Sequence, residues 1–151
     1  MKEKPIRKEI ITLIEQELNN IIQLGQELKK YKDKNSQLYR RAKGSVLHDF
    51  YNSCERIFKI ILKEIDGNRA SAVRWHKELL NRMRIEMPGI RPRVISEKLA
   101  SELNEYLSFR HLFRNIYGFE LASGRLNFLV EKFEKVSKQF ISEIKKFLKF
   151  L

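Results

Sequence analysis

Apolar residues along the chain fall into helical registers. Ile11, Ile14, Leu18, Ile21, Leu24 and Leu28 recur at steps of three and four, the spacing that gathers side chains on one helix face. They predict a first helix from about Pro5 to Tyr31, with Pro5 suited to an opening turn. The polar run Lys32-Asp-Lys-Asn-Ser36 predicts a tight turn. A second helix follows from about Ser36 to Ile65, striped by Leu38, Ala42, Val46, Phe50, Cys54, Ile57, Ile61 and Ile65. Arg40, Arg41, Lys43, Arg56, Lys59 and Lys63 lie largely off that stripe, and Asp66-Gly67-Asn68 ends the helix. A shorter helix from about Ala70 to Glu86 carries Trp75, His76, Leu79, Leu80 and Met83. Two prolines and a glycine in Met87-Pro-Gly-Ile-Arg-Pro92 then force a loop or kink. A fourth helix spans about Ile95 to Gly118. A bend near Gly118 to Gly124 leads into a last one, about 125 to 150, striped by Leu126, Leu129, Phe133, Val136, Phe140, Ile144 and Phe147.

No stretch alternates as a strand does. The expectation is an all-α protein, an up-and-down antiparallel helical bundle of four long helices plus a shorter one. No repeat, linker or low-complexity segment divides it, so residues 1–151 are expected to form one domain. Composition agrees: glycine and proline are sparse, and 42% of residues are hydrophobic, too many for a disordered chain. The net charge of +12 does more, because it attracts polyanions. Nucleic acid is the first partner it suggests, an acidic protein the second and an anionic membrane the third. The lone Cys54 on an apolar stripe fits a reducing, cytoplasmic setting. One cysteine and three scattered histidines form no metal-ligand spacing, and no cofactor is expected. The N-terminus shows no signal-peptide run and no stretch is apolar enough to span a bilayer, so no membrane association is expected. The phenylalanines and lysines after Lys132 read as the last bundle helix, with its apolar side inward.

The fourth helix is the unusual one. Its stripe runs Leu99, Leu103, Tyr106 and Leu107, and the same register continues into Arg110, Phe113, Arg114 and Tyr117. Two arginines therefore stand in line with core positions. Burying a guanidinium is costly without a partner, so these arginines must pair with acids, line a groove or face another subunit. Arg110 and Arg114 are four apart and thus adjacent on the helix, as are His111 and Asn115. Two guanidinium forks can hold a phosphate and offset charge developing on it. A neighbouring histidine can take a proton from a ribose 2′-hydroxyl. Elsewhere, Trp75 reads as an anchor, His76 as a capping or packing residue and His48 as a surface one. Tyr31, Tyr39 and Tyr51 read as packing, and Cys54 as buried and inert.

The stretch Tyr106-Leu-Ser-Phe-Arg-His-Leu-Phe-Arg-Asn-Ile-Tyr-Gly-Phe-Glu-Leu121 resembles the signature of HEPN-domain proteins, specifically the HepT-like toxins. That motif is an arginine, four residues, a histidine, one residue and a tyrosine, and here its positions are Arg110, Asn115 and Tyr117. Trp75-His76 with Leu79-Leu80 and Met83, and Arg91-Pro-Arg-Val-Ile95, are also similar to that group. The likeness covers roughly residues 70 to 121. It implies a homodimeric HEPN bundle with its motifs facing a shared cleft. It implies a metal-independent RNA endonuclease toxin partnered by a minimal nucleotidyltransferase (MntA-like) antitoxin, which transfers AMP from ATP to the motif tyrosine, here Tyr117. Arg110 would meet the scissile phosphate, with Arg114 and His111 assisting at the phosphate. Asn115 departs from the pattern, since an amide cannot exchange a proton near neutral pH. Three readings stay open: a member that binds RNA or its nucleotidyltransferase without cutting, a product silenced at this position, or His111 as substitute base. The first two are favoured over the third, because a substitute must also have the right reach.

Overall fold

The computed structural model describes residues 3–67, 75–115 and 123–151. They form five helices: α1 (Glu3–Tyr31), α2 (Gln37–Glu64), α3 (Trp75–Met83), α4 (Glu97–Asn115) and α5 (Ser123–Leu148). The all-α antiparallel bundle of four long helices and one short one is thus what the periodicity predicted. Among the described residues, the only strand-like feature is an isolated bridge between Met87 and Arg91.

Helix α2 is the axis of the packing, touching each of the other four. Helices α1, α4 and α5 complete the bundle around it, and α3 lies against α2 and α4. Phe50 of α2 sits in the core with its ring edge-on to Tyr106, Phe133 and Phe140, at 5.3, 5.0 and 6.3 Å. Such edge-to-face geometry is favoured by the ring quadrupoles. All seven stripe residues of α5 are buried. The Tyr106 hydroxyl donates to the Leu129 carbonyl at 2.7 Å and so binds α4 to α5.

The helix ends explain where the predicted boundaries moved. Ser36 caps α2 by accepting from the Tyr39 N–H. The chain leaves α2 through Gly67, whose φ of +65° favours glycine. Helix α3 stops at Met83, three residues before the expected end, because the N–H groups of Arg84 and Ile85 turn back three residues in a tightening turn. Its expected start at Ala70 lies outside the described residues. Helix α4 begins at Glu97 rather than Ile95. There the Ser96 hydroxyl accepts from the Leu99 N–H, while Glu143 of α5 accepts from both the Ser96 N–H and its hydroxyl, at 2.6 and 2.9 Å.

Three burial expectations are corrected. Leu38 is 72% exposed, while the next residue, Tyr39, is the one that turns its ring onto Tyr31 of α1. Lys43 is buried, its stem packed inward and its ammonium donating to the Lys32 carbonyl at 3.1 Å. Phe109 is fully buried although the α4 stripe omitted it.

The loop between α3 and α4 is clasped to the end of α2. Arg91 donates from Nε and Nη2 to Asp66 at 2.6 and 3.0 Å, and Arg82 donates to the same carboxylate at 2.8 Å. Arg91 also reaches the carbonyls of Arg82, Ile85 and Pro92. Two cations and one buried carboxylate therefore fix how α3 turns into α4.

Candidate functional site

Arg110 is buried, as its register demanded, and its partners come from α2 and α3. Nη1 donates to Asn52 Oδ1 at 2.7 Å and to Glu55 Oε1 at 3.3 Å. The guanidinium also lies over the Tyr51 ring, 5.5 Å from its centroid. The second Glu55 oxygen stands 2.8 Å from His76 Nδ1. Arg110 Nη2 is 3.2 Å from that same nitrogen, which cannot serve both neighbours. If Nδ1 accepted from Arg110, its lone pair would face the carboxylate at 2.8 Å. The favourable arrangement puts a proton on Nδ1, donated to Glu55. His76 is thus a histidine oriented by a carboxylate. Its side chain is 40% exposed, against 4% for Glu55.

Burial shapes the surrounding groups. The Tyr51 hydroxyl is buried with no hydrogen-bond partner among the described residues. Loss of solvent, aided by the Glu55 charge, pushes its pKa well above the usual tyrosine value. Cys54 is buried and its thiol is pushed up by the same desolvation, which makes it inert as expected.

Arg114 is exposed and held by a second set of partners. Its Nε donates to His48 Nε2 at 3.0 Å, and His48 Nδ1 lies 3.2 Å from Asp49. His48 also packs its ring against Phe113, with centroids 5.7 Å apart. The residue read as surface is therefore a support for Arg114.

These side chains border an open groove of about 520 Å³ between α3 and α4, lined by His76, Lys77, Asn104, Arg110, His111 and Arg114 among others. A volume of that order suits a small ligand or a segment of a larger one. Three of the five residues picked from sequence, Arg110, His111 and Arg114, come together there. Asn115 lies next along α4 but turns away, its amide donating to the His111 carbonyl at 2.7 Å. Tyr117 lies outside the described residues. Among the described residues there is no cluster of three or more His, Cys, Asp or Glu that could hold a metal ion. A narrower hollow of about 220 Å³ between α1 and α5 is walled by residues such as Ile21, Val130 and Phe133, and its lining contains no histidine.

The sequence reading missed His48, Asn52, Glu55 and His76. The first three sit at i, i+4 and i+7 of α2, one polar ridge beside the apolar stripe. A buried arginine on α4 required an acid, and Glu55 beside Cys54 was the signal that could have named it.

The chain matches the HepT-like proteins over residues 42–151, a span holding most of α2, all of α3 to α5 and every groove residue named above. It belongs to the HepT-like family. That makes it a HEPN protein related to toxin–antitoxin pairs. None of the curated proteins or solved structures compared with the chain matches it. Within this HepT-like chain, Arg110 is buried, while Asn115 is exposed and donates its amide to a carbonyl of its own helix. No helix among the described residues is long and apolar enough to cross a membrane.

Proposed function

We propose that this HepT-like protein is the toxin of a toxin–antitoxin pair, a cytoplasmic, metal-independent endoribonuclease whose groove binds RNA. A nucleotidyltransferase antitoxin would silence it by transferring AMP to Tyr117. The observation that carries the reading is Arg110, held by Asn52 and Glu55 in a groove rimmed by Arg114, Lys77 and His111. The exposed cations grip phosphates, and the net charge of +12 draws a polyanion toward them. Arg110 is fixed in advance where charge develops, which is how a guanidinium lowers a phosphoryl-transfer barrier. A homodimer would double this surface. An AMP on Tyr117, seven residues beyond Arg110, would add a bulky anion near the phosphate site.

A second reading is a non-catalytic HEPN module that binds RNA or its nucleotidyltransferase without cleaving. Asn115 favours it, since its amide is engaged with its own helix and cannot act as a proton acceptor or acid near neutral pH as a histidine can.

The test is RNA binding and metal-free cleavage by the unaltered chain and by Asn115→His. Cleavage by the unaltered chain supports an active nuclease, and cleavage only by Asn115→His supports a silenced one. Binding without cleavage by either supports the module, and absence of binding to both RNA and the nucleotidyltransferase overturns both readings. With the antitoxin and ATP, a mass gain of one AMP is expected, lost in Tyr117→Phe. Labelling elsewhere removes Tyr117 from that role.

A further inference from the structure

We propose that Asn104 is the base-reading residue of the α3–α4 groove, which holds one unpaired adenine nucleotide of an RNA with its base at Asn104 and its flanking phosphate at Arg114. The proposal rests on the reading of the groove as an RNA site and names what that site selects.

The groove changes character along α4. Arg110, His111 and Arg114 line one end of it, and Asn104, Leu107 and Ser108 line it one to two turns earlier. Steps of three, one and three from Asn104 through Leu107 and Ser108 to His111 keep these residues on one strip of the helix. From Asn104 to Arg114 the helix rises by about 15 Å, room for a base at one end and a phosphate at the other. His48 takes only the Nε of Arg114, so both terminal nitrogens remain for that phosphate.

Three asparagines stand near this groove, and two are spent inside the protein. Asn52 gives its oxygen to Arg110, and Asn115 gives its amide to the His111 carbonyl. Asn104 is half-buried, yet its amide has no hydrogen-bond partner among the described residues. A half-buried polar group without a partner carries a desolvation cost that a matching ligand edge removes.

The chemistry of the amide selects the ligand. It offers one donor and one acceptor side by side. Adenine offers the matching pair, an amino donor beside a ring-nitrogen acceptor. An anion could use only the amide donor, which places the phosphate at the arginine end. Leu107, half-buried against the core, gives the base an apolar surface, and Ser108 adds a hydroxyl that donates or accepts. The base must be unpaired, because the deep, narrow major groove of an RNA helix keeps base edges from side chains.

The experiment measures binding, by fluorescence anisotropy, of four labelled pentaribonucleotides with uridine flanks and A, C, G or U at the centre. The proteins are the unaltered chain, Asn104→Ala, Asn104→Asp and Arg114→Ala, with folding checked by circular dichroism. The unaltered chain should bind the adenine form about 5- to 10-fold more tightly than the others, the lower end for a bidentate contact because Asn104 is only half-buried. Asn104→Ala should bind all four alike. Asn104→Asp, an acceptor alone, should shift the preference to cytosine, whose amino group donates. Arg114→Ala should weaken all four by a common factor, flatten the salt dependence and keep the adenine preference. Equal binding of all four by the unaltered chain, a preference for another base, or an adenine preference that survives Asn104→Ala overturns the proposal and leaves the RNA reading standing. Binding of none of the four overturns both.

Discussion

Arg110→Met separates what Arg110 does for the fold from what it does in the groove. The side chains of Arg110 and Glu55 are 7% and 4% exposed, so removing the cation strands a carboxylate away from water. Breaking one side of such a pair costs about 3–5 kcal/mol. His76 still answers one Glu55 oxygen, which places the expected loss near the lower end, about 3 kcal/mol. Against a total stability of about 5–15 kcal/mol, that is a large fraction. For a chain of this size it lowers Tm by about 6–12 °C. The double variant Glu55→Leu/Arg110→Met removes both charges and fills the space with apolar atoms, and should recover most of the loss. Urea midpoints of all four proteins, taken as a double-mutant cycle, measure the coupling. The same folded double variant should bind RNA weakly and cleave none. A single-variant cost under about 1 kcal/mol, or a double variant no more stable than Arg110→Met, would refute the buried-pair argument.

Three further outcomes follow from other contacts. Asp66→Asn leaves the fully buried Arg91 without its counter-charge and should cost about 3–5 kcal/mol in a thermal melt. Ser96→Ala removes the α4 cap and one donor to Glu143 and should cost about 1–2 kcal/mol by denaturant titration. Burial raises Tyr51 and Tyr106 above the usual 10.0. Their stabilisation is therefore full below pH 10 and lost above it, at up to about 1.4 kcal/mol per pH unit for each. Ultraviolet absorbance should show these two phenols ionising only as the protein unfolds.

Much of this architecture was legible because helical burial is a local, periodic property. The α5 stripe is one register repeated, so each of its positions could be read from its neighbours. The same logic placed Arg110 on a core line before its partners were known. Its partners were not legible, because Asn52 and Glu55 lie 58 and 55 residues away and periodicity says nothing about which helices meet. His76 looked like packing for the same reason. Lys43 misled in the opposite sense: a residue type implies exposure, yet a carbonyl at the α1–α2 turn accepted its ammonium.

The Pro-Gly segment after α3 reads as the chain's weakest point, and loops of that composition are usually where lineages gain and lose residues. This one is closed from every side. The N–H groups of Val94 and Ile95 both reach the Met83 carbonyl, Met87 and Arg91 exchange backbone hydrogen bonds, and Arg91 is pinned to Asp66. One inserted residue would put Arg91 out of reach of Asp66 and rotate α4 relative to α3, carrying Arg110 away from His76. The length of this loop should therefore behave like a core residue in evolution, while a fused tag or a new terminus is better tolerated at the turn between α1 and α2.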